Sequence, residues 1–185
     1  AGRCRLRRCR LRRGCLLAMH DGDRRAERTS VQAEVPLRGA LVRRDGRFLR
    51  DAVEDVVRDT ESDVLFRHSL RVYCWAALIG DRQGLTFDRE LLYTAALFHD
   101  VGLTEAYRES RLRFEVDGAN AARDFLRGRG IPERDVARVW AAVALHTTPG
   151  IPEFMDPEIA LVQAGAGMDV VGRGYEHVPD EQREA

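Results

Sequence analysis

From Leu49 to Val171 the apolar residues recur at intervals of three and four, which is the spacing of one face of an α-helix. Six such segments follow one another, and none of them alternates with the period of two that a half-buried strand requires. We therefore predict an all-α domain. The first helix begins at Leu49, and its apolar face consists of Leu49, Val53, Val56, Val57 and Thr60.

Capping residues, glycines and prolines between these segments predict where the other helices begin and end. The second helix is expected from Ser62 to Gly80, the third from its N-cap Asp88 to Gly102, the fourth from Asp117 to Gly128, the fifth from Pro132 to Pro149-Gly150, and the sixth from its N-cap Asp156 past Asp169. A further helix start is expected at Asp180, which suggests a domain cut short at its C-terminus.

The formal net charge of zero conceals two oppositely charged parts. Residues 1–18 carry seven Arg and no acidic residue, so the remainder has a charge of −7. We interpret 1–18 as a disordered or non-native tail before a start at Met19, 19–47 as a polar lead-in, 48–175 as the folded domain and 176–185 as a truncated segment. A nucleic-acid-binding arm or a transit peptide is the alternative for the tail, although we expect no nucleic-acid partner.

Composition excludes several classes of protein. All 30 basic residues are Arg, so a phosphate-loop lysine and a Schiff-base lysine are both absent. No apolar stretch approaches the length of a membrane span, so we expect no membrane partner. Only one cysteine, Cys74, lies beyond residue 18, which favours a reducing, cytoplasmic setting over a disulfide scaffold.

Four ionisable residues occupy positions that the helical pattern assigns to the core: His68, His99, His146 and Asp169. Burying a carboxylate without compensation costs several kcal/mol, so one shared cation is the economical explanation for residues on four different helices. Imidazole and carboxylate ligands suit Zn, Fe or Mn better than Ca. Asp100 joins the set because it lies in a last helical turn, where the backbone can loosen.

His68, then His99-Asp100, then Asp169 resembles the H…HD…D signature of the HD-domain metal-dependent hydrolase superfamily. Five longer strings are similar to its cyanamide hydratase-like branch: RHSLRVYCWA (67–76), ELLYTAALFHDVGLTEAY (90–107), RFEVDGANAARDFL (113–126), ALHTTPGIP (144–152) and EIALVQAGAGMDVVG (158–172). The resemblance implies an HD-domain helical bundle with a metal held between helices.

Carried over residue by residue, the resemblance implies that His68, His99, Asp100 and Asp169 bind the metal. His146 matches a pocket histidine that two-metal members use on a second ion. A further histidine of those members falls at Phe114 here, which cannot bind metal, so the resemblance implies one divalent ion, with Zn favoured over Fe or Mn. His146 is then free to act on the substrate.

The expected activity is attack of a metal-activated water on a small molecule, with nitrile hydration of the cyanamide-to-urea type favoured. Asp100 would orient the water and His146 would transfer a proton. Three neighbours are candidate substrate contacts, namely Thr147, Thr148 and Phe114, although either threonine suits a helix C-cap equally well. An HD-type phosphohydrolase acting on a nucleotide or other phosphomonoester is the alternative enzyme, and a non-catalytic metal-bound sensor or interaction module is the third hypothesis.

Overall fold

The computed structural model describes residues 49–179, so the predictions for residues 1–48 and for a helix at Asp180 lie outside the described residues. Within that range the structure is helical and contains no strand, which confirms the all-α prediction. The six helices are α1 (Leu49–Thr60), α2 (Asp63–Arg82), α3 (Arg89–Phe98), α4 (Phe114–Arg127), α5 (Glu133–Leu145) and α6 (Pro157–Val171). None of these helices combines the length and the apolar character that crossing a bilayer would require.

Several predicted helix ends are confirmed by their capping contacts. The carboxylate of Asp88 accepts hydrogen bonds from the backbone N–H groups of Glu90 and Leu91, at 2.9 and 3.1 Å, and so caps α3. Asp156 is the N-cap residue of α6 as predicted, although its side chain makes no capping hydrogen bond. Gly172 ends α6 with a φ of +68°, a left-handed conformation that glycine adopts without steric cost.

Four predicted ends are wrong. The third helix ends at Phe98 and not at Gly102, and Val101–Leu103 forms a separate short 3-10 helix. The second helix continues past Gly80 to Arg82 because Gly80 is a packing position, where an added Cβ would meet the ring of Phe87 at 2.5 Å. The fourth begins at Phe114 and not at Asp117, since acidic residues are favoured throughout a first helical turn as well as at the N-cap. The fifth ends at Leu145, well before the proline at 149.

Helix α3 lies at the centre of the bundle. Every residue from Glu90 to Phe98 is buried, and α3 contacts α1, α2, α4, α5 and α6. The most extensive pairings between the other helices are α2 with α6 and α4 with α5. The residues that directly follow α3, His99 and Asp100, therefore emerge in the interior of the bundle, between the other helices.

Two glycines allow the backbones around this point to approach closely. Gly165 in α6 faces α2, where an added Cβ would lie 2.5 Å from the carbonyl oxygen of Val72. Gly102, just after α3, faces the first residue of α4, and an added Cβ would collide with the carbonyl oxygen of Phe114. These contacts hold α2 against α6 and the segment after α3 against the start of α4.

Candidate metal centre

The turn that ends α3 brings two neighbouring side chains to one place. His99 is the C-cap residue with helical φ and ψ of −62° and −32°, whereas Asp100 departs from the helix at −111° and 5°. Side chains of consecutive residues on a regular helix point about 100° apart, so this departure allows both to face the same point. The predicted loosening of the last turn is confirmed.

His68 in α2 completes a cluster with these two residues. Its Nε2 lies 3.2 Å from Nε2 of His99 and 3.4 Å from Oδ2 of Asp100, and the latter oxygen lies 3.3 Å from Nε2 of His99. One ligand atom from each residue can thus be chosen so that all lie within 4.8 Å of one another. His99 and Asp100 are buried and His68 is partly buried.

Nδ1 of each imidazole ring makes a hydrogen bond on the side away from the centre, so Nε2 is the nitrogen that faces the centre. Nδ1 of His99 donates to the carbonyl oxygen of Ala96 at 2.7 Å, and Nδ1 of His68 donates to Oδ2 of Asp169 at 2.6 Å. Nε2 of each ring therefore faces Oδ2 of Asp100 and carries a lone pair whenever the ring is neutral. This arrangement can hold a cation, either a proton on Nε2 or a metal ion, and such orienting partners are typical of metal-binding histidines.

The electrostatics of the cluster favour positive charge. Burial lowers the pKa of His68, but hydrogen bonds and charge from Asp100 and Asp169 outweigh it and raise the pKa to about 9. Burial also opposes ionisation of Asp100, yet its contacts with His146, His68 and His99 hold the pKa of that carboxyl far below its usual range. A centre that stabilises a proton on His68 in this way can stabilise a divalent metal ion in its place.

Asp169, predicted as a fourth ligand, lies on the outer side of the His68 ring. Besides the bond from His68, its carboxylate accepts two hydrogen bonds of 2.8 Å from Arg71 and one of 3.2 Å from Trp75. Asp169 is not among the atoms that converge on the centre. This geometry suits a residue that orients His68, and direct metal binding by Asp169 stays a prediction.

His146 lies beside the cluster at the end of α5, with 4% of its side chain exposed. Its Nδ1 donates to the carbonyl oxygen of Val143 at 2.7 Å, and its Nε2 lies 3.5 Å from Oδ1 of Asp100. The two oxygens of Asp100 therefore face different partners: Oδ2 faces His68 and His99, and Oδ1 faces His146. The ring of His146 packs edge-on against Phe114 at a centroid distance of 5.6 Å.

The three predicted substrate contacts have different surroundings. Phe114 lies beside His146. The hydroxyl of Thr147 donates to Oε1 of Glu115 at 2.5 Å, so it already has a protein partner. The backbone N–H of Thr148 donates to the carbonyl oxygen of Leu145, which closes the last turn of α5. Substrate binding by these three residues stays a prediction.

Two buried carboxylates near the cluster were not found by sequence reasoning. Glu61, between α1 and α2, is 8% exposed and accepts hydrogen bonds from the hydroxyl of Ser69 at 3.3 and 3.5 Å. Burial raises its pKa to about 8, and its charge interacts with both Asp100 and His68. Glu115, with 2% of its side chain exposed, bonds Thr147. A glutamate directly before the N-cap of α2 carries no periodic signal, and Glu115 stands between charged residues, in RFEVD (113–117), where an exposed position is equally expected.

Comparison with known proteins agrees with this centre. Residues 65–181, more than half of the chain, match the family described as HD domain. The matched range begins just before His68 and includes the other residues of the cluster. No curated protein sequence matches the chain significantly.

Proposed function

Since this chain belongs to the HD-domain family, in which metal-dependent hydrolases predominate, we propose that it adds water to a small uncharged nitrile, in the manner of cyanamide hydration to urea. The family and the cluster of His68, His99 and Asp100 support the metal-dependent class. The choice of substrate rests on the charges around the cluster.

The observation that favours an uncharged substrate is the pairing of the arginines next to the centre. Arg71 binds Asp169 through two hydrogen bonds of 2.8 Å, and Arg113 binds Glu115 through bonds of 2.5 and 3.2 Å. Both guanidinium groups are thus engaged by carboxylates in the bidentate geometry that arginine otherwise offers to phosphate. A phosphomonoester would have to displace one of these carboxylates to bind either of these two arginines, whereas a nitrile needs no arginine partner.

The two carboxylate oxygens of Asp100 would have different roles in the reaction. A divalent cation held by His68, His99 and Asp100 would lower the pKa of a coordinated water from 15.7 to about 7. Oδ2 of Asp100 would contribute to holding the cation, and Oδ1, directed to His146, is placed to orient a proton that His146 carries. Nδ1 of His146 is committed to Val143, so only Nε2 can exchange that proton.

In this proposal the oxygen of water bonds to the nitrile carbon while Nε2 of His146 delivers a proton to the nitrile nitrogen. The proton that the water loses returns to His146, so the histidine is unchanged after one turnover. For cyanamide the product of addition is isourea, which tautomerises to urea. Phe114, packed against the His146 ring, supplies an apolar wall for such a small substrate.

The test is a screen of the metal-loaded protein against cyanamide and other nitriles, with urea or amide as the measured product, in parallel with nucleotides and other phosphomonoesters. We expect urea from cyanamide and no phosphate release. His146→Ala should abolish turnover and retain the metal, while the exposed control Glu133→Gln should behave as wild type. Phosphate release without urea would overturn the hydratase proposal in favour of a phosphohydrolase, and no turnover of either class would favour a non-catalytic module.

A further inference from the structure

A buried carboxylate links the start of α4 to the segment that carries His146. Oε1 of Glu115 accepts a 2.5 Å hydrogen bond from the hydroxyl of Thr147, and Arg113 donates to both oxygens of the same carboxylate. Arg113 is 72% exposed, whereas 2% of the Glu115 side chain is exposed. The exposed arginine thus compensates a buried charge, and that charge holds the residue next to His146.

The hydrogen bond from the backbone of His146 is long. His146 is the C-cap of α5, and its N–H lies 3.5 Å from the carbonyl oxygen of Val143, at the outer limit of a hydrogen bond. Helix ends fray where intrahelical bonds weaken. A short, charge-assisted bond from Thr147 to a carboxylate on a different helix is stronger than a neutral one, and it ties the turn to α4.

Consecutive residues of α4 hold consecutive residues after α5. The ring of Phe114 packs against the ring of His146, and the carboxylate of Glu115 binds the hydroxyl of Thr147. The first residue of α4 is itself fixed against the segment after α3 by the close approach at Gly102. The position of His146 relative to Asp100 is therefore set through the start of α4.

Helix capping alone explains Glu115 incompletely. An acidic residue in a first helical turn is favoured by the unpaired N–H groups there, and Glu115 does accept a bond from its own backbone N–H. That role needs neither burial of the side chain nor a partner on another segment. Burial raises the pKa of Glu115, but the bonds from Arg113 and Thr147 outweigh it and lower the pKa to about 2, so the carboxylate is ionised at neutral pH.

We infer that Glu115 is a positioning residue, which acts through Thr147 to hold His146 at the edge of Asp100. The inference rests on the proposed role of His146 in proton transfer, but not on the identity of the substrate. Misplacement of a catalytic group by about 1 Å can lower a rate by roughly 100-fold. Loss of this link is accordingly expected to lower kcat by about 10- to 100-fold with a much smaller change in KM.

The experiment compares Thr147→Val, which removes the hydroxyl at nearly constant shape, with Thr147→Ser, which restores it. The matched control is Thr60→Val, because Thr60 is exposed and its hydroxyl bonds a backbone carbonyl within α1. Kinetics use the substrate from the screen above, and metal content and thermal unfolding are measured on every variant. We expect a loss of kcat for Thr147→Val alone, with metal content retained and serine restoring most of the rate.

A second readout is independent of turnover. The Nδ1–H of His146, bonded to Val143, should give a slowly exchanging imidazole signal in the NMR spectrum of wild type, Thr147→Ser and Thr60→Val, and a broadened or absent one in Thr147→Val and Glu115→Ala. An unchanged signal and an unchanged kcat in Thr147→Val would overturn the inference. If no substrate is found, the proposed function fails, while the imidazole signal still decides whether Glu115 and Thr147 position His146.

Discussion

Glu61 offers a quantitative test of the electrostatics around the centre. In the metal-free protein its pKa is raised from an ordinary value of 4.5 to about 8, chiefly by burial. Between these values the folded state binds a proton that the unfolded state has lost. The stabilising contribution is therefore complete below pH 4.5 and is lost as the pH rises toward 8. Glu61→Gln removes the titration and should gain stability relative to wild type over this range.

The size of this change in stability follows from the shift in the pKa of Glu61. One pKa unit corresponds to 1.36 kcal/mol, so the change from 4.5 to about 8 amounts to roughly 5 kcal/mol in total. About 2–3 kcal/mol of this develops between pH 5 and pH 7. The quantity to compare is the free energy of unfolding of Glu61→Gln minus that of wild type, which should rise by this amount between the two pH values.

Urea unfolding followed by circular dichroism, with a chelator present, measures this difference at pH 5, 6 and 7. The exposed residue Glu109 provides the matched control, and Glu109→Gln should follow the wild-type pH dependence. A difference between Glu61→Gln and wild type that stays constant from pH 5 to pH 7 would refute the reasoning, since it would mean that burial does not hold a proton on Glu61.

Three further predictions concern the metal and its support. Metal binding displaces a proton from His68, whose pKa is about 9, so metal affinity should rise with pH up to about 9. Calorimetry in buffers of different ionisation enthalpy should detect the released proton. Identical heats of binding in all buffers would contradict this prediction. Asp169→Asn should weaken metal affinity by about 10- to 100-fold in a chelator competition, as expected for an orienting partner, and complete loss of binding would indicate a direct ligand. Gly102→Ala should destabilise the fold by about 1–3 kcal/mol in urea unfolding because its Cβ collides with the Phe114 carbonyl, whereas the more open Gly128→Ala should not.

The sequence predicted the helices well where a single residue determines the boundary. Asp88 caps α3 because its short carboxylate can reach two backbone N–H groups, a local interaction that the sequence displays. The start of α4 was missed because Asp117 suits an N-cap and the interior of a first turn equally well. Gly80 was taken for a helix end because its close packing against Phe87 and Leu161 appears only once the chain has folded.

In the candidate site, too, local sequence patterns were predictive and contacts that depend on helix packing were not. His68, His99 and His146 were predictable because polar residues interrupt apolar helical faces, a pattern that needs no tertiary information. The surroundings of Asp169 were not predictable, since whether its carboxylate meets a metal or the outer edge of His68 depends on how α2 packs against α6. The bond between Glu115 and Thr147 joins residues 32 positions apart and leaves no periodic signal.

Metal stoichiometry tests the central claim most directly. Elemental analysis after equilibration with excess zinc and desalting should find one ion per wild-type chain and one per His146→Ala chain, the matched control from the edge of the centre. His99→Ala and Asp100→Asn should retain far less than one ion while keeping the helical circular dichroism of the wild type. One ion per chain in both of these variants would contradict a metal centre formed by His68, His99 and Asp100.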